Sequence, residues 1–370
     1  MKRSRIALVL LATAGVVALV FASATMGGTA KKTATPYKVA LILVGPHNDG
    51  GWSQAHYDGL QFVQKTLGSK VQTTYKENIA VGAQFSQTVA SLVSQGYKMI
   101  WATSYGMMTK ALAAKYPNVI FEQATGTDLA KNLGEYFGRA EDTVFLSGMA
   151  AGAASKTGKL GYVVAFPIPE VIRHANAFAL GAQLTHPGAT VSLVWTNSWF
   201  DPAKEKKAAQ SLVAAGADVL GQNVDSPAAG QYAESVGVPW VGYDSDSSSF
   251  APKSWLTASV YNWGPYMVKE VQLAMAGKWK SEFYYGSIND GFTKLAAYGP
   301  KVSALTKAKI AVYMKKIEKG TFYEFTGPLY DQTGKLRVAK GVKMQVLTGG
   351  TNSLYGMNWL VKGVIGSAKG

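Results

Sequence analysis

The residues able to do chemistry are few, and most reaction types can be set aside from their spacing. Four histidines (His47, His56, His174, His186) are scattered, with no HExxH pair that would put two imidazoles on one helix face around zinc. There is no GxSxG turn and no cysteine, so neither common activated nucleophile is offered. What remains is recognition by aromatic faces and carboxylates. The loop His47-Asn48-Asp49-Gly50-Gly51-Trp52 sets a tryptophan at a helix start behind two glycines, and Asn197-Ser198-Trp199-Phe200-Asp201-Pro202 repeats the arrangement. Two indoles at matching places could close on a flat ring from both faces, and each could equally be a core tryptophan. Asp225 and the Asp244-Ser245-Asp246 run follow strand-like segments. Such carboxylates accept hydrogen bonds from ring N–H, amino or hydroxyl groups, and also serve as ordinary helix N-caps. The glycine loop lacks the Lys and Ser/Thr of a phosphate cradle, and DSDSSS lacks the spacing of a calcium loop. The expectation is therefore a binding protein with no catalytic residues, no metal and no cofactor.

These residues sit at the ends of short apolar runs that alternate with amphipathic segments. Strands are expected at 38–44, 71–75, 99–103 and 119–122, and helices at 53–67, 83–95 and 108–115. The pattern then restarts with a helix at 145–155 and a strand at 159–166. Helices at 170–184, 202–215 and 228–236 alternate with strands at 190–195, 218–222 and 238–242. Two βαβ series imply an α/β chain of two doubly wound parallel-sheet lobes, with ligands taken at strand carboxyl ends in the cleft between them. Past Asn262 one helix (266–276) is expected, followed by strand-like pieces to Trp359 that add to both lobes and stitch them together.

The first residues give the compartment. Lys2, Arg3 and Arg5 precede an apolar or small run from Ile6 to Phe21, and Ala22-Ser23-Ala24 is a small-x-small cleavage site. Sixteen residues fall short of the roughly 20 needed to span a bilayer as a helix. Residues 1–24 are thus expected to be a signal peptide and 25–36 a flexible leader, which makes the protein extracytoplasmic. Without cysteine it carries neither a disulfide framework nor a lipidated cysteine. The net charge of +15 falls to +12 without the three charges of the signal. The remaining lysines are scattered on helix faces and not gathered into a patch interleaved with aromatics, so no nucleic-acid partner is expected.

Several blocks, in order, resemble the basic membrane protein (BMP) family of ABC-transporter substrate-binding proteins, whose members include purine nucleoside receptors. They are VGPHNDGGWSQAHYDGL from Val44, YFGRAEDTVFLSGMAAG at 136–152, GYVVAFPIPEVIRHANAFALGA at 161–182, NSWFDPAKEKKAA at 197–209, GADVLGQNVDSPA at 216–228 and VGYDSDSSSFAP at 241–252. The resemblance implies a type I periplasmic-binding fold with three crossovers, one lobe of 37–138 plus 262–290 and the other of 139–261 plus 291–370. It implies a purine base or nucleoside held between Trp52 and Trp199, with Asp246 on the ribose, and delivery to a membrane ABC permease by a monomer. Asn48, Asp49, Tyr105, Gln123, Asp225 and Tyr261 complete the expected ligand set. Two departures stand out: the family's ribose-holding lysine is replaced by Tyr261, and its acidic residue at the end of the first strand by Leu43. An aromatic clamp without charged ribose partners suggests a free nucleobase or a modified nucleoside. The alternatives are a sugar or other small polar ligand, and an exported nucleoside-cleaving enzyme using Asp49 or Asp246.

Overall fold

The computed structural model describes residues 35–347 and 350–370; the expected signal peptide and nearly all of the leader lie outside these residues. The first strands are β1 (Tyr37–Ile42), β2 (Val71–Lys76), β3 (Met99–Ala102), β4 (Ile120–Gln123) and β5 (Leu133–Gly138), of which β2 at the sheet edge is largely polar and only partly buried; they are interleaved with α1 (Trp52–Leu67), α2 (Ala83–Ser94) and α3 (Lys110–Ala114). The series resumes with α4 (Ala140–Ala154), β6 (Lys159–Val164), α5 (Pro169–Thr185), β7 (Thr190–Trp195), α6 (Pro202–Ala214), β8 (Val219–Asn223), α7 (Ala228–Val236), β9 (Trp240–Asp244) and β10 (Trp255–Tyr261). It closes with α8 (Trp263–Met275), β11 (Phe283–Gly286), β12 (Thr293–Leu295), α9 (Ala304–Glu318), β13 (Leu329–Tyr330), β14 (Leu336–Val338) and β15 (Val364–Ile365).

Two sheets result. The first runs β11-β5-β4-β3-β1-β2 and is parallel throughout. The second runs β12-β10-β9-β8-β6-β7-β15 and is parallel except for β12 at its edge. The chain passes between the sheets three times, through α4, through α8 and through the loop from β11 to β12. In each sheet the strand order reverses, between β1 and β3 and between β6 and β8, which opens a crevice at the carboxyl ends of those strands. This is the type I periplasmic-binding architecture. Three elements differ from the sequence reading. β5 and β10 were not expected as strands, and α9 replaces strand-like pieces. Helix α9 is capped by the Ser303 hydroxyl, which accepts from the Thr306 N–H, but buries only Ile310 and Ile317. That weak apolar stripe is why it does not read as a helix.

The helix α4 carries the chain from one sheet to the other and is buried on all sides from Ala140 to Gly152. Its small residues allow that. A Cβ on Gly148 would lie 2.3 Å from the Phe178 carbonyl oxygen, one on Gly152 2.3 Å from that of Ala182, and one on Gly181 1.9 Å from that of Phe145. Helices α4 and α5 therefore meet backbone to backbone. Replacing Gly181 by Ala would gain about 1 kcal/mol of helix propensity. The overlap with a carbonyl oxygen forces two helices apart in a close-packed core, and overpacking of this kind costs about 1–3 kcal/mol. Gly181→Ala is expected to lower the urea midpoint of unfolding; an unchanged or raised midpoint would show that α4 and α5 tolerate separation.

Candidate ligand-binding site

The two crevices face each other across a cavity lined by Val44, Trp52, Thr103, Ser104, Tyr105, Thr125, Glu170, Trp199, Asp225, Tyr243 and Asp244. Every lining residue sits at or just beyond the carboxyl end of a strand, or at a helix start that follows one. The first sheet contributes Val44, Trp52, the 103–105 loop and Thr125; the second contributes Glu170, Trp199, Asp225, Tyr243 and Asp244.

Trp52 lines the cavity and is packed as a core tryptophan. It is only 8% exposed, donates its Nε1–H to the Thr103 carbonyl at 2.6 Å, and packs edge-on against Tyr261 and Trp263. Trp199 is partly buried, with its ring 5.2 Å from that of Phe166 and tilted 61° to it. Asp225 also lines the cavity, and among the described residues its carboxylate takes part in no hydrogen bond. Tyr105 stands at the rim, 70% exposed.

The other sequence candidates lie away from the cavity wall. Asp49 is buried, and its carboxylate accepts the N–H groups of Gly51 (2.8 Å), Ser53 (2.9 Å) and Gln54 (3.0 Å), so it closes the first turn of α1. Asn48 is exposed. Gln123 is held inside the first sheet's layer, accepting from the Met108 N–H at 2.5 Å and donating to Glu135 at 2.9 Å. Asp246 is exposed, accepts from the Ser248 N–H at 3.1 Å, and borders a separate cleft with Asp58 and Asn262. Tyr261 stands behind the site, stacked on Trp263 at 4.4 Å and sharing a 3.0 Å hydroxyl hydrogen bond with Tyr243.

Two further acidic residues line the cavity: Asp244, which the sequence reading places in a candidate run but passes over for Asp246, and Glu170, which it does not single out. Asp244 ends β9 with a φ of +68°, is completely buried, and has neither carboxylate oxygen hydrogen-bonded. Glu170 follows Pro169 in the first turn of α5. The signals were present: Asp244 is the first acid after the apolar run of β9, and Pro-Glu opens a helix directly after β6. Burial pushes the Asp244 carboxyl well above its ordinary value, and the charges of Asp49 and Glu170 add to the effect. Asp225 is raised in the same way, by burial and then by Asp244, Asp49, Glu205 and Glu170. Glu170 is pushed up by burial to about 7, against the pull of Arg173. No group of three or more His, Asp or Glu among the described residues is arranged to hold a metal ion.

The paired glycines have a role that the sequence did not suggest. A Cβ on Gly51 would lie 2.2 Å from the Asp225 carbonyl oxygen, so the loop before α1 meets the backbone of the opposite sheet's loop. Ser245 donates to the Gly51 carbonyl at 2.8 Å and Ser247 to the Gly50 carbonyl at 2.5 Å.

Burial outweighs the cations near the buried carboxyls (Arg139 beside Asp142, Arg173 near Glu170) and sets a pH dependence. Glu135 is raised by burial to about 8, and Asp142, Glu170 and Glu205 to about 7. A carboxyl raised in the folded state contributes stability that is complete below its unfolded pKa and lost as pH rises through the folded value. The buried His56 and His174, whose values are lowered by burial, act the other way, but only as pH falls below about 6.5. The melting temperature of the ligand-free protein should therefore rise as pH is lowered from 8.5 to 6.5. A flat or falling profile in differential scanning fluorimetry would mean that these carboxyls are solvated or paired.

The family model for Bmp, the PnrA-like ABC transporter substrate-binding proteins, matches residues 37–322. A Brucella abortus (strain 2308) protein named as purine-binding is 37% identical over 347 residues, covering 92% of this chain and 96% of its own. A Haloferax volcanii relative, provisionally named as an ABC transporter glucose-binding protein, is 34% identical over 281 residues, 75% of this chain and 71% of its own. An ABC transporter solute-binding protein from Conexibacter woesei superposes with a TM-score of 0.65 at 20% identity, over 78% of this chain and 98% of that one, which shows the shared fold. No helix among the described residues is long and apolar enough to cross a membrane. With two doubly wound sheets, three passages between them and a cleft built from their strand ends, the chain belongs to the Bmp family of ABC-transporter substrate-binding proteins.

Proposed function

We propose that this cleft captures a purine-type ligand, as the free base in preference to the nucleoside, and delivers it to an ABC permease outside the cytoplasmic membrane. The observation that carries the reading is Asp244: a buried carboxyl in the wall of a cavity that two indoles also line, with neither oxygen hydrogen-bonded among the described residues. Leaving such a group unpaired is costly, and a ring with edge N–H donors between Trp52 and Trp199 would pair it. The name of the Brucella relative points the same way. Base over nucleoside is favoured by the wall behind the site. Tyr261 stands where the family's ribose-holding lysine is expected, and its bond to Tyr243 and stacking on Trp263 fill that wall with aromatic rings.

Capture works by lobe closure. Contacts from both sheets meet on the ligand only when the lobes are shut, so binding shifts the population toward that state. The serine bonds to Gly50 and Gly51 hold the same arrangement. A sugar is the second reading, favoured by the Haloferax relative and compatible with stacking on tryptophan. A nucleoside-cleaving reaction would need Asp49 or Asp246, but the first is tied into a helix start and the second lies outside the cavity.

Calorimetric titration of ligand-stripped protein should give a one-to-one isotherm for a purine base, a weaker one for its nucleoside and none for glucose. Trp199→Ala, at the less buried indole, should cost about tenfold or more in affinity with little change in melting temperature. Glucose binding with silence from purines would replace the reading with the sugar one. Gly51→Ala puts a methyl group into the Asp225 carbonyl and should weaken ligand binding while increasing the radius of gyration in solution scattering. Wild-type affinity in that variant would show that closure does not need this contact.

A further inference from the structure

The cavity wall is unusual in its charge. Asp244 and Asp225 offer carboxylate oxygens with no protein donor, and Glu170 completes a third side. Arg173 does not line this cavity but lines the adjoining one, which shares Tyr105, Thr125 and Glu170 with it; its Nε lies 3.7 Å from a Glu141 oxygen, and its guanidinium sits 4.9 Å from the ring centre of Tyr355. Burial and mutual repulsion oppose full ionisation of these three acids in the empty cleft. A ring that brings N–H donors or positive charge relieves that repulsion and suits the two electron-rich indole faces, whereas an anionic group adds to it and a carbonyl oxygen supplies no donor.

Resting on the purine reading above, we propose that the site selects amino-substituted heteroaromatic rings, neutral or cationic, that present N–H donors along their edges, and that it rejects oxo-rich and anionic analogues. Asp244 takes the donor edge from the deep end of the cavity, and Asp225 and Glu170 take further N–H groups from the side of the second sheet. A site built around such bonds discriminates strongly against analogues that lack the donor, because its own buried groups are then left unpaired.

Titration against 2,6-diaminopurine, adenine, hypoxanthine and urate tests this directly. Affinity should fall in that order, by about tenfold or more from adenine to hypoxanthine, with no binding of urate. Hypoxanthine or urate binding as tightly as adenine would overturn the proposal while leaving the purine reading intact. Asp244→Asn, which keeps the size but exchanges an acceptor for a donor, should narrow or invert the adenine-to-hypoxanthine ratio; a purely structural role would weaken both ligands alike. If that variant fails to fold, Asp225→Asn carries the same expectation. Silence from every purine would instead remove the purine reading. The charge selection would then be tested with thiamin, a cationic heteroaromatic, against orotate, an anionic one: thiamin binding alone would uphold it, and orotate binding or silence from both would overturn it.

Discussion

Burying a carboxylate away from any donor costs on the order of 1–3 kcal/mol or more, and that cost organises the cleft around Asp244. Beside it the Tyr243 hydroxyl is already shared with Tyr261 and with Nδ1 of His174. The buried aspartate exists because β9 ends inside the crevice, and β9 ends there because the second sheet reverses its strand order between β6 and β8. The topology thus places an unmet hydrogen-bonding demand where the opposite sheet brings Trp52. Stability given up at this point is recovered when a molecule with complementary edges arrives.

The architecture that permits this depends on close backbone approach in two places. Gly148, Gly152 and Gly181 let α4 and α5 touch, which allows a completely buried helix to link the sheets. Gly51 lets the loop before α1 reach the chain at Asp225. In both places a side chain would act as a spacer, and the cleft would be wider by the width of that spacer.

Much of this was legible in the sequence, for a physical reason. Buried parallel strands are continuous apolar runs, and β1 and β6 read as such, while β7 shows the alternation of a half-buried strand; the helices after them were legible too. Strand β5, which contains Glu135 and glycine, lacks that signature, although all six of its residues are buried. At the site, Trp52, Trp199, Asp225 and Tyr105 do line the cavity. Asp49 does not; its carboxylate is taken up by the N–H groups at the start of α1. The choice of Asp246 over Asp244 turned on where β9 stops, and two residues of loop carry a side chain from the crevice to the solvent. The resemblance to the family named the motif, but burial decides which of its acids lines the cavity.

The hydroxyls of Ser245 and Ser247 bond to main-chain carbonyls, with no ligand atom between them. Such bonds form whether or not the cleft is loaded, so the empty receptor has a basal tendency to shut. Every empty closure presents the outline of a full one, and a transporter that reads only that outline would spend a docking event on no cargo. The strength of two serine hydrogen bonds therefore sets a compromise: stronger, and idle traffic at the membrane rises; weaker, and each captured molecule must supply more of the closing free energy itself.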